Sequence, residues 1–112
     1  MQKTTRRQIY RQGDVMLIMA NDIPHKAERV PAGPRGTVLA LGEVTGHAHR
    51  FAPGSPVALF RPDGSGAGGW LKVDETALLE HEEHATLAIP PGIYRIPVQV
   101  EETAEAVSVV VD

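Results

Sequence analysis

TVLALGEVTGHAHRFAPGSPVALF, residues 37–60, sets three short apolar runs between glycine and proline breaks. Thr37–Leu41, His47–Phe51 and Val57–Phe60 are each too short for a stable helix. Gly42, Gly46, Pro53, Gly54 and Pro56 interrupt any helical period. The segment reads as three strands, joined by turns at Glu43-Val44-Thr45-Gly46 and Pro53-Gly54-Ser55-Pro56. The same punctuation continues both ways. Upstream, Asp14–Met19 is an apolar run behind Gly13, and Asn21–Gly36, with Pro24, Pro31, Gly33 and Pro34, reads as loop. Downstream, Pro62–Gly69 (PDGSGAGG) is a flexible connector and Trp70–Val73 resumes a strand. Ala77–His81 and Ala85–Ile89 read as a hairpin around Glu82-Glu83-His84. Pro90-Pro91-Gly92 turns the chain into Ile93–Val100, and Val107–Val111 closes the sheet. About eight short antiparallel strands at this spacing predict an all-β fold, a single small β-barrel or sandwich. A competing helix across 74–84, capped within Asp74-Glu75-Thr76-Ala77, would put Glu80 and His84 one turn apart.

The chain of 112 residues suffices for one hydrophobic core and not for two. The expected organisation is a flexible basic arm over residues 1–8 and one β domain over 9–112. The absence of cysteine excludes a disulfide framework, thiolate metal ligands and a cysteine nucleophile, and favours a cytoplasmic address. MQKTTRRQIYRQ (1–12) is basic but lacks the apolar stretch of a signal peptide. No window approaches the roughly 20 apolar residues of a membrane-spanning helix, so no membrane association is expected. The net charge of −3 hides a polarity: residues 1–69 sum to +4 and residues 70–112 to −7. Such polarity suits a homo-oligomer or a protein partner, with a solvated surface of uneven charge as the other reading. It argues less for nucleic acid, because Lys3, Arg6, Arg7 and Arg11 cluster without interleaved aromatics.

Residues i and i+2 of a strand share a face, so His47, His49 and Phe51 project together, away from Ala48 and Arg50. Phe51 marks that face as the inner one. Ala77, Leu79 and His81 align in the same way, and His84 lies in the following turn or at the start of the next strand. If the two strands are neighbours, His47, His49, His81 and His84 converge on one cavity, where imidazoles need hydrogen-bond partners or a metal. Neutral imidazole suits a divalent transition metal such as zinc, iron, nickel or copper. Glu43, Glu80, Glu82 and Glu83 are available as a carboxylate ligand or to orient a ring. Three ligands and an open position would suit Lewis-acid chemistry; four would suit a structural site. Whether the protein is an enzyme stays open. Two surface histidine pairs near turns, or a metal-free proton-carrying pair, are the other readings of these residues.

His81-Glu82-Glu83-His84 is not the H-E-x-x-H of zinc proteases, and neither a P-loop nor a nucleophile elbow is present. A strand carrying Gly46-His47-Ala48-His49, a glycine-rich connection and the Pro-Gly turn at 90–92 resemble a cupin in outline. That resemblance implies a small β-barrel with His47 and His49 as first-motif metal ligands. The chain departs from the cupin pattern in lacking the glutamate after His49 and the histidine after the Pro-Gly turn. QGDV (12–15), GEVTGHAH (42–49), HEEH (81–84) and PPGIYR (90–95) together resemble a group of small bacterial and phage proteins; the resemblance implies a genuine domain and no particular chemistry. A different class of function, a non-enzymatic interaction or assembly module of phage or mobile-element origin, fits the charge polarity and the strand-forming end at Ala106–Val111. Trp70 and Tyr94 read as core or rim aromatics, with ligand stacking as the alternative. Arg50 and Arg95 would bind an anion if they met across a sheet.

Overall fold

Period-two burial runs through most strands of the computed structural model, which describes residues 7–42, 45–64, 66–98 and 107–111. The strands are β1 (Arg7–Gln12), β2 (Val15–Ala20), β3 (Glu28–Val30), β4 (Thr37–Leu41), β5 (Ala48–Phe51) and β6 (Val57–Arg61). They continue as β7 (Gly69–Val73), β8 (Ala77–Glu80), β9 (Leu87–Ile89), β10 (Gly92–Ile96) and β11 (Val107–Val111). They form a seven-stranded sheet in the order β11-β1-β2-β10-β7-β6-β3 and a four-stranded sheet in the order β4-β5-β8-β9. The pairings are antiparallel except β1 with β11. The all-β expectation holds, and of its two architectures the open, sandwich-like one is present. Among the described residues the ladders do not close into a barrel.

Alternation sets the core. Leu59, Leu71, Val73, Tyr94 and Ile96 point from the large sheet toward Phe51, Leu79 and Ile89 of the small one, all nearly or fully buried. Burial of this apolar surface is the main force holding the sheets together. Ala77 and Leu79 are buried while Leu78 is half exposed, so residues 77–80 follow strand rather than helix periodicity. Ile9, Met16 and Ile18 form a second buried cluster, separate from this core.

Two strands stand where the sequence pointed elsewhere. Arg7 and Gln8, placed in the arm, begin β1, and residues 1–6 of that arm lie outside the described residues. β1 shows no clean alternation, since Ile9 and Tyr10 are both buried. β3, inside the expected loop, has one apolar residue and forms through its ladder to β6. β10 stops at Ile96, one residue before Pro97, which has no N–H to donate to a ladder. The last two residues of the strand expected over 93–100 lie outside the described residues. Among the described residues no helix is long and apolar enough to cross a membrane.

Candidate metal centre

The site begins with a tight turn. Gln12 pairs with Val15 across a two-residue connection, Gly13-Asp14, in which Gly13 has φ +58°. A positive φ at the first turn residue belongs to the hairpin turn that matches strand twist, and glycine adopts it without steric cost. This turn presents Gln12 and Asp14 to the mouth of the small sheet. A Cβ on residue 13 would come 2.6 Å from Nε2 of His84, so glycine also makes room for that imidazole.

The small sheet supplies the histidines. The β5–β8 register pairs Arg50 with Glu80 and Phe51 with Leu79. His49 and His81, the next residues along, therefore lie side by side with ring centroids 4.2 Å apart and the rings tilted by 33°. His84, from the turn after β8, lies 4.7 Å from His81, and His47 lies edge-on to His81 at 5.7 Å. All four predicted histidines line one cavity of about 310 Å³, with Asp14 and Glu83 at its wall.

Hydrogen bonds fix how His49 is presented. Gln12 is fully buried, and its amide NH₂ donates to the carbonyls of Leu79 (2.9 Å) and Ala85 (2.8 Å). Both amide hydrogens are thereby used, and Oε1 is left as an acceptor 2.8 Å from His49 Nδ1. Nδ1 must carry a proton to complete that contact. Burial, reinforced by the neighbouring His81, pulls the His49 pKa below its ordinary value, against an opposing effect from Asp14. The His49 Nε2 lies 3.4 Å from Asp14 Oδ1, on an exposed side chain at the cavity mouth.

The other groups are held from outside the cavity. Glu82 accepts the Ala48 backbone N–H (2.9 Å) and an Arg35 guanidinium hydrogen (3.3 Å), and the bond from Ala48 lowers its pKa. Donor atoms of His47, His81 and Glu82 lie within 4.8 Å of one another, close enough for one ion. His81 Nδ1 accepts the Glu83 backbone N–H at 3.0 Å, and His47 Nδ1 lies 3.6 Å from the Glu83 carboxylate. Glu80 faces Arg50 instead, at 3.9 Å. Glu43 lies outside the described residues.

Gln12 and Asp14 were not among the predicted site residues. Their signal was present: QGDV sets a short polar turn ahead of an apolar strand, and a glutamine next to such a strand needs partners once buried. Only the fold reveals that those partners include a histidine 37 residues away.

Residues 11–99 match the family described as a domain of unknown function (DUF8820). No curated protein and no solved structure shows a significant match.

Proposed function

The chain belongs to the DUF8820 family, and with no chemistry attached to that family we propose, from the site alone, that the domain binds a divalent transition metal. The ligands are drawn from His47, His49, His81 and His84. The observation that supports this most is the convergence of the four imidazoles on one cavity, where ligand atoms of His47, His81 and Glu82 lie within 4.8 Å of one another. Imidazole ligands with a carboxylate nearby suit zinc, iron, nickel or copper better than calcium or magnesium.

Gln12 then acts as the group behind the ligand, holding the imidazole in the tautomer that binds through Nε2. Glu82, gripped by Ala48 and Arg35, supplies a carboxylate beside His47 and His81. Coordination through His81 Nε2 requires its ring proton to sit on Nδ1, which costs the hydrogen bond from Glu83. Metal binding therefore reshapes the turn at residues 82–84. The cavity extends beyond the imidazoles, leaving space for water or a small ligand at an open coordination position. There the ion would polarise a bound oxygen as a Lewis acid.

Elemental analysis by inductively coupled plasma mass spectrometry, on protein purified without a polyhistidine tag, tests this reading. About one equivalent of metal is expected, lost in the His47→Ala, His49→Ala double variant. Protein that is metal-free as isolated and takes up none when metal is added overturns it.

A second reading, an interaction or assembly module, is favoured by the place of β11 at one edge of the large sheet, where it pairs with β1 alone among the described strands. An edge strand offers backbone groups to a strand of another chain. Sedimentation of the metal-free protein as a monomer at all concentrations removes the homo-oligomeric form of this reading.

A further inference from the structure

The outer face of the seven-stranded sheet carries a row that the histidine site does not use. The registers pair Arg29 with Phe60, Phe60 with Trp70, and Trp70 with Arg95. Each pair joins adjacent strands, so the four side chains stand on one face, about 5 Å from one to the next. Alternation confirms the face: Leu59, Leu71 and Tyr94, their neighbours in sequence, are fully buried on the opposite side. Phe60, Trp70 and Arg95 are half-buried and Arg29 is exposed. Lys72, two residues from Trp70, adds a third cation to this face.

Charge on this face is one-sided. Among the described residues, its ladder positions hold Arg11, Arg29, Lys72 and Arg95 and no carboxylate; Asp74, 3.9 Å from Lys72, lies beyond the end of β7. The protein as a whole is acidic, so a cationic face set with two aromatic rings is a local feature. Trp70 and Arg95 also line a cavity of about 410 Å³, closed at one side by Pro62, Pro97 and the exposed Val98.

We propose that this row, Arg29–Phe60–Trp70–Arg95, is a binding platform for single-stranded nucleic acid. Bases stack on the Phe60 and Trp70 rings, one beside the Trp70–Arg95 cavity, and phosphates meet Arg29, Lys72 and Arg95. Stacking on half-buried aromatic rings is sequence-tolerant because every base has a π face, and the cations neutralise the backbone. The spacing from Arg29 to Arg95, three interstrand steps or roughly 14 Å, accommodates about two stacked-out nucleotides and their phosphates. The basic N-terminal arm lacks aromatic partners; this sheet face supplies them.

Trp70 is the single tryptophan of the chain, so its fluorescence reports stacking directly. Fluorescein-labelled oligodeoxyuridylate and oligouridylate of equal length, which differ in the sugar alone, are titrated at low salt, with anisotropy and tryptophan quenching read together. Saturable binding with matching quench is expected, and a preference for either sugar identifies DNA or RNA as the source. Trp70→Ala weakens binding at least about fivefold, while Trp70→Phe, which keeps a ring, retains most of it. Arg95→Ala weakens binding and reduces the slope of log K against log salt by about 0.7. The His47→Ala, His49→Ala variant binds as the parent does, which separates this surface from the metal centre. The proposal is overturned if no saturable change occurs at low salt. It is equally overturned if folded Trp70→Ala and Arg95→Ala variants bind undiminished, or if heparin matches the oligonucleotides without quenching Trp70.

Discussion

Gln12 shows how one residue sets the chemistry of another. Its amide makes three hydrogen bonds, two to carbonyls and one to His49, and so reaches from β1 to β8, to the chain just before β9, and to β5 at one point. Gln12→Leu keeps the volume and leaves Leu79 O, Ala85 O and His49 Nδ1 without that partner. Leaving such groups unsatisfied costs about 1–3 kcal/mol each at most, and relaxation and water reduce the total. We expect urea unfolding to show a loss of about 2 kcal/mol, and isothermal titration to show metal affinity reduced about 10–100-fold, the range for residues that orient a ligand. Unchanged metal affinity in the folded variant would show that the tautomer is set elsewhere. Tyr94 makes a separate, pH-dependent contribution. Its ring is fully buried, its hydroxyl donates to Pro90 O at 2.7 Å, and burial, with Tyr10 nearby, pushes its pKa from 10.0 up to about 12. The folded state therefore favours the protonated phenol. The associated stability is complete below pH 10 and drains away as pH rises through about 12, amounting to about 3 kcal/mol. Tyr94→Phe should flatten the alkaline limb of stability measured by urea melts between pH 9 and 12, as compared with the parent. Parallel limbs would mean that the phenol ionises without cost.

Elements were legible where a short apolar run met a glycine or proline on each side. β4, β6 and β7 follow the expected runs to within a residue, because Gly42, Pro53–Pro56 and Gly69–Val73 leave the chain few alternatives. β1 and β3 were not legible, because RQIYRQ and ERV owe their extended form to ladders with distant strands rather than to local pattern. The four histidines were legible as a group through i, i+2 alternation; their support from Gln12 and Asp14 was not, since sequence separation hides a contact between β1 and β5. Gly36 belongs to this scale as well. It has φ +95°, and a Cβ there would fall 1.9 Å from the Phe51 carbonyl oxygen, in the backbone of the strand that carries His49. Gly36→Ala must push the start of β4 away from the end of β5, whereas Gly33→Ala meets nothing within 4 Å. We expect the first to cost at least about 2 kcal/mol and the second less than about 0.5 kcal/mol. Thermal melts of the two variants, side by side, check the difference; equal melting temperatures would show that the β4 entry yields freely.

The whole molecule is two sheets sharing one core, and the histidine centre sits where they meet at one end. The large sheet contributes Gln12 and Asp14 through the β1–β2 turn, and the small sheet contributes His49, with His47, His81 and His84 in the chain beside β5 and β8. A metal held by these residues would add to a seam already joined by apolar contact and by hydrogen bonds from Gln12 to Leu79 O and His49 Nδ1 and from Arg61 to Leu39 O. It binds the folded chain and finds no preformed site in the unfolded one, so its binding free energy becomes folding free energy. At metal concentrations about 100-fold above Kd the gain is about 2.7 kcal/mol, which for a domain of this size raises Tm by about 10 °C. Calorimetry in the presence of EDTA, then with one equivalent and with excess metal, measures the shift. A rise that continues with the logarithm of free metal, and that vanishes in the His47→Ala, His49→Ala variant, fits a site bridging the sheets. A rise of equal size in that variant would place the ion elsewhere, and no rise in the parent would mean that the imidazoles gather at this end of the small sheet without a metal between them.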